Sequence, residues 1–148
     1  MNGDVSFNRS FSEYSEGFGS YAGDFFLGLR KIHKLTRAGN AELEISINDE
    51  GREYNLYVKG FVVASEPYNF HYKYSGTFGG PLSSDAFIRS SLAPGFSTYD
   101  SDNDQLPGFD CANDNKGAWW YTDCGWANLF GPWRTTEKRM FWYNGDFT

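Results

Sequence analysis

Between residues 41 and 63 apolar and polar positions alternate. Leu43, Ile45 and Ile47 are separated by Glu44 and Ser46, the period-two signature of a half-buried strand. The stretch from Asn48 to Gly51 supplies a turn, and Tyr54, Leu56 and Val58 alternate on the return strand. Phe61 to Ala64, and then Phe70, Tyr72 and Tyr74, predict two more antiparallel strands, with Pro67 in the loop between them. Upstream the period lengthens. The tetrapeptide SFSE at 10–13 is a capping box, which predicts a short helix from Phe11 to Glu16 stopped by Gly17. A brief apolar run from Phe25 to Leu29 is broken by Gly28. Leu29, Ile32 and Leu35 then recur at helical spacing, with Gly39 as terminator.

From Gly76 onward the periodicity fades and Gly79, Gly80, Pro81, Pro94, Gly95, Pro107 and Gly108 punctuate the chain. Roughly 70 residues with little regular structure far exceed an ordinary loop. Such a segment needs another source of order: a metal, a disulfide or aromatic packing. Residues for all three are present, in the carboxylates at 100–104, the cysteines, and Trp119, Trp120, Tyr121, Trp126 and Trp133. There is no internal repeat and no low-complexity tract.

Composition narrows the class. At 148 residues the chain is one domain or a large part of one. Aromatics make up 20% of it, which argues against disorder. A net charge of −6 gives no electrostatic footprint for a phosphate backbone, so no nucleic-acid partner is expected. No apolar run approaches the roughly 18 residues that span a bilayer, so membrane insertion is not expected. Met1 is followed by neither a basic segment nor an apolar one, which reads as a cytosolic chain or a piece of a longer precursor. Cys111 and Cys124 have the wrong spacing for a zinc knuckle or a CxxC redox motif. They read as one short-loop disulfide in an oxidising compartment, or as two buried free thiols. Asn8 opens an N-glycosylation sequon, NRS at 8–10, in keeping with secretion.

The acidic run DSDND at 100–104 is the sharpest chemical motif. Alternating carboxylates in a turn aim oxygens into one small volume, which suits a hard cation such as Ca2+. The EF-hand pattern does not fit, because its glycine position holds Gln105 and its closing glutamate position holds Cys111. The alternatives are a different calcium loop, completed by carbonyls and water, or a solvated acidic turn. Signatures of catalysis are missing: the two histidines, His33 and His71, lie near no cysteine or serine elbow, and no GxSxG, HExxH or Walker A occurs. The chain reads as not an enzyme. The WWY segment at 119–121 reads as core packing or as an aromatic wall in a stapled loop.

Many segments in order resemble the fibrinogen C-terminal (fibrinogen-related) domain of fibrinogens, ficolins, tenascins and angiopoietins. They are NGDVSF at 2–7, GFG at 17–19, GDFFLGL at 23–29, IHKLT at 32–36 and AELE at 41–44. Later come FST at 96–98, DSDND at 100–104, CA at 111–112, GAWWY at 117–121, Cys124, and NL at 128–129. The resemblance implies an α+β fold with a central twisted antiparallel sheet, short helices and a loop-rich calcium and disulfide part. In that reading 1–148 is a single, partial domain, with 1–75 the helix and sheet part and 76–148 the loop-rich part.

The resemblance further implies a calcium site formed by the Asp102 and Asp104 side chains with the Leu106 and Gly108 carbonyls, and Asp100 outside it. It implies a Cys111–Cys124 disulfide and a cis peptide at Asp123–Cys124. It implies a ligand pocket beside the calcium, at Asn115, Tyr121, Asp123, Cys124, Gly125 and Trp133. That pocket takes acetylated sugars in lectin-like members and a peptide knob in fibrinogen. The chain departs from the pattern at Gly125, where histidine is usual, at Asn115, where an aromatic is usual, and at Phe130. The stretch from Pro132 to Phe141 is shorter than the family's pocket-lining loop. An N-terminal subdomain would precede Met1 and a closing strand would follow Thr148, so an open sheet edge is expected. The expected function is a non-catalytic, secreted recognition module stabilised by calcium, lectin-like or innate-immune, with a glycan or protein ligand. The alternative is a matrix or receptor-ligand module with purely structural calcium. Homo-oligomers would form through segments outside this sequence.

Overall fold

The computed structural model describes residues 3–133 and 140–143. The capping box forms as its residue types dictate. The Ser10 hydroxyl accepts the Glu13 N–H at 3.2 Å, and the Ser10 N–H donates to the Glu13 carboxylate at 2.9 Å. Helix α1 (Phe11–Glu16) ends at Gly17, and the chain turns through a small hairpin of β1 (Phe18–Gly19) and β2 (Phe25–Phe26). Helix α2 (Leu29–Thr36) follows. Leu29 is buried, but Leu35 is 68% exposed and does not belong to the inner face. Seven residues turn an α-helix about 20° short of two full turns, so Thr36 rather than Leu35 lies over Leu29. Thr36 is buried there. Its hydroxyl donates to the Ile32 carbonyl at 2.9 Å and accepts the Val63 N–H at 3.0 Å. His33 Nδ1 lies 2.8 Å from the Val63 carbonyl, so polar groups fasten α2 to the sheet.

The sheet is built on an antiparallel hairpin of β3 (Ala41–Asp49) and β4 (Arg52–Val63). Leu43 faces Val58, Ile45 faces Leu56 and Ile47 faces Tyr54, in the register that the alternation predicts. Two expectations are corrected. Residues 61–63 are the end of β4, not a separate strand, because the ladder runs on through Gly60. The next strand is only β5 (Tyr72–Lys73), since Phe70 sits at a left-handed turn with φ 52° and Tyr74 packs outside the ladder. A short β6 (Phe78–Gly79) pairs with the middle of β4.

The second half carries more regular structure than the fading periodicity suggests. It contains α3 (Asp85–Ser90), α4 (Cys111–Asn115), β7 (Ala127–Asn128) and β8 (Phe141–Trp142). Its order nonetheless comes chiefly from aromatic rings with satisfied donors. Trp119 Nε1 donates to Ser90 Oγ at 2.9 Å, Trp120 Nε1 to the Phe70 carbonyl at 2.8 Å, and Trp142 Nε1 to the Ser83 carbonyl at 3.0 Å. Tyr14 and Tyr72 are buried with their hydroxyls on the Phe7 and Phe87 carbonyls, each at 2.6 Å. Burial raises both phenols well above the ordinary tyrosine value. The expected short pocket-lining loop falls mostly on residues 134–139, outside the described residues.

Candidate functional site

The acidic run divides by role. Asp102 and Asp104 shape a curled loop. The Asp104 N–H donates to Asp102 Oδ1 at 3.0 Å, and the Leu106 N–H donates to Asp104 Oδ1 at 2.7 Å. These successive side-chain turns hold the backbone without a ladder. Gly108 has φ 79°, a left-handed conformation that continues the curl. Asn103, which sequence reasoning did not single out, clamps the loop from below. Its N–H donates to Ser97 Oγ at 2.9 Å and its amide to the Phe96 carbonyl at 2.9 Å. Its position inside the acidic run was the only available signal.

The loop is tied to the cysteine segment. The Cys111 N–H donates to Asp104 Oδ2 at 2.9 Å, and the Gln105 N–H donates to the Thr122 carbonyl at 2.9 Å. Cys111 and Cys124 are joined by a disulfide, with Cα atoms 5.0 Å apart. Asn115 is buried beneath it, and its amide donates to the Cys124 carbonyl at 3.0 Å. The Asn128 amide in turn donates to the Asn115 carbonyl at 3.2 Å. Asp123 and Gly125 are exposed, so residues 123–125 form a rim directly after the strut at Thr122.

Three pocket expectations change. The Asp123–Cys124 bond is trans, because no described peptide bond is cis. The trans form is favoured by about 3–4 kcal/mol outside proline, and both the disulfide and the Asn115 hydrogen bond are made with it. Tyr121 is buried with its hydroxyl on the Gly117 carbonyl at 2.7 Å, so its ring supports the rim from inside rather than walling a pocket. Burial pushes its phenol far up. Trp133 lies instead beside a smaller cavity, with Gly3, Val5, Asn8 and Lys116. Asn8 is exposed there.

The donor set suits a hard divalent cation. Asp104 is half-buried, and burial, followed by the neighbouring Asp102 carboxylate, raises its pKa above the ordinary carboxylate value. Its two backbone donors oppose that shift. A cation held by both carboxylates would remove the like-charge repulsion. No cluster of three acidic, histidine or cysteine side chains occurs among the described residues, so carbonyls and water must supply the rest of any shell.

The whole of this arrangement lies inside a match, over residues 1–146, to the model for the C-terminal globular domain of fibrinogen beta and gamma chains. The chain belongs to this fibrinogen C-terminal domain family. Family members are non-enzymatic recognition and binding modules. Human ficolin-3 is 34% identical over 149 residues, which cover 99% of this chain and 48% of ficolin-3. The chain spans less than half the length of such full-length relatives. The fibrinogen-like globe domain of human ANGPTL6 has a TM-score of 0.88 and 30% identity, covering 97% of this chain and 67% of that one. The lamprey fibrin D-dimer, complexed with the peptide ligand Gly-His-Arg-Pro-amide, has a TM-score of 0.81 at 27% identity, covering 95% and 52%. The fibrinogen-like fold, with antiparallel sheets, few short helices and a disulfide, is therefore that of the family. No helix among the described residues is long and apolar enough to cross a membrane.

Proposed function

We propose that this fibrinogen-like domain is a secreted, calcium-stabilised recognition module that binds its ligand at the rim 123–125 beside the acidic loop. Asp102 and Asp104 would hold the cation with their carboxylates, and Leu106 and Gly108 with their carbonyls. The cation would supply charge compensation and rigidity. The observation that carries the reading is the double tie between loop and rim, from Cys111 N–H to Asp104 and from Gln105 N–H to Thr122. Through it, ordering the loop also orders the exposed backbone at Asp123 and Gly125. The peptide in the lamprey structure supports a protein ligand for a domain of this shape. Buried Asn115 and Tyr121, with a glycine at 125, leave few side chains to grip an acetyl group. That favours a protein ligand over an acetylated glycan.

The test is a melting curve of the purified chain in calcium and in chelator at matched ionic strength. Stabilisation follows RT ln(1 + [L]/Kd), so millimolar calcium on a micromolar site adds about 4 kcal/mol. The absence of any shift would defeat the reading. A glycan array decides the ligand class, since an acetyl-binding rim requires signals that free N-acetylglucosamine competes away.

A further inference from the structure

Away from the acidic loop, the β1–β2 hairpin and the start of α2 enclose an open cleft of about 370 Å3. That volume lies within the roughly 300–1,000 Å3 usual for small-ligand sites. The cavity beside Trp133, at about 200 Å3, falls below it. Tyr21 and Phe25 line the cleft edge-to-face, with ring centroids 4.9 Å apart and planes at 70°. Tyr21 is 82% exposed and Phe25 42%, so core burial does not account for Tyr21 at all and only partly for Phe25.

The charged groups of the cleft are held by contacts within the chain. Glu16 is ion-paired with Arg30. Lys31 Nζ donates to the Glu16 carbonyl at 3.1 Å and to the Leu27 carbonyl at 3.3 Å. The lining is thus aromatic rings and Leu27, backbone of a glycine-containing hairpin, the Ser20 and Tyr21 hydroxyls, the Lys31 ammonium and a carboxylate whose charge is balanced. Ser20 Oγ accepts the Ala22 N–H at 3.2 Å and keeps its own proton to donate.

We propose that this cleft binds a neutral pyranose, a sugar unit carrying neither acid nor amine. The C–H face of the ring stacks on Tyr21, and its hydroxyls bond to Ser20, to the Glu16 carboxylate and to hairpin backbone. Each alternative ligand meets a mismatch. The Glu16 carboxylate and the Lys31 ammonium line the same cleft, so neither an anion nor a cation meets a surface of one opposite sign, and a hydrocarbon leaves the Ser20 and Tyr21 hydroxyls without a partner in the ligand. A proline-rich segment calls for ring-borne donors, and of the cleft's aromatic side chains only Tyr21 carries one. The site shares no residue with the 102–125 region, so it stands or falls apart from the function proposed above.

The experiment is an amide-resolved NMR titration of the full chain with cellohexaose, maltohexaose and mannohexaose at millimolar concentration. At least one should shift the amides of Gly17, Gly19, Ser20 and Tyr21 while leaving those of 102–125 in place. Tyr21→Ala should weaken that binding about tenfold, the upper end of an aromatic contact, and Tyr21→Phe should keep most of it. Because Tyr21 is so exposed, both variants should melt with the parent chain. The proposal is overturned if none of the three sugars shifts the hairpin, if the shifts fall only on 102–125, or if a polyproline peptide moves the hairpin and the sugars do not.

Discussion

The Asp100 carboxylate caps a helix that begins 89 residues earlier. Its Oδ1 accepts the Phe11 N–H, in the first turn of α1, at 2.9 Å, and also the Thr98 hydroxyl at 2.7 Å. An unsatisfied amide at a helix start is thereby paired with a charged acceptor. Asp100 is thus committed to the fold, while Asp102 and Asp104 curl the loop. Asp100→Ala should lower stability by about 1–2 kcal/mol yet leave the calcium-dependent melting shift intact. Asp104→Ala should abolish that shift. Parallel melts of the two variants with and without calcium check both halves of the statement.

Glu13 gives a pH signature. Its pKa lies below the ordinary carboxylate value because the Ser10 N–H, and then Arg9, bond to its charged form. A group depressed in the folded state stabilises above its unfolded pKa and loses that contribution as pH falls through the folded value. Glu13→Gln should therefore cost less than about 1 kcal/mol near neutrality, given the exposure of the Arg9–Glu13 pair. The gap between variant and parent should close as the pH falls well below 4.5, the unperturbed value. Urea melts across that range measure it.

The strut under the disulfide can be removed separately from the disulfide. Asn115→Ala leaves the Cys124 carbonyl short of its donor, at about 1–3 kcal/mol, and keeps the main-chain carbonyl that accepts from the Asn128 amide. Cys111→Ser with Cys124→Ser should cost about 3 kcal/mol, from the short loop it releases. Chemical denaturation of the two variants checks the order of these effects.

Gly117 is closely packed behind the site. A Cβ there would collide with Asn128 Oδ1 and press on the Gly131 backbone. Gly117→Ala should destabilise by about 1–3 kcal/mol through overpacking, read as a lowered melting temperature with unchanged calcium affinity in the folded fraction.

How much of this was legible depends on how local the determinant is. Ser10 and Glu13 specify α1 within one turn of helix, and Leu43 to Val58 specify the hairpin register by their own alternation. Both were readable directly. Leu35 misled because its spacing fits a helix, while burial is decided by what packs on that face. Thr36 won the position through hydrogen bonds to β4 that no periodicity encodes. The loop-rich half was readable only as a list of ingredients. Which ring meets which carbonyl, as with Trp120 and Phe70, is a contact across 50 residues. The rim shows the same limit: the family resemblance placed Tyr121 among ligand-facing groups, residue types left core packing and an aromatic wall both open, and the three-dimensional path turned it inward.

Trp119 and Trp120 also bear on how the domain comes apart. Adjacent in the chain, with rings 5.3 Å apart, they are fastened to different bodies, one to α3 and the other to the turn at Phe70 that leads into β5. Peeling away residues 101–130 would tear both anchors and expose two large rings together. That raises the cost of local opening towards the cost of complete unfolding. Slow hydrogen exchange should therefore extend into segments that have no ladder of their own, and the loops and the sheet should lose protection in a single step.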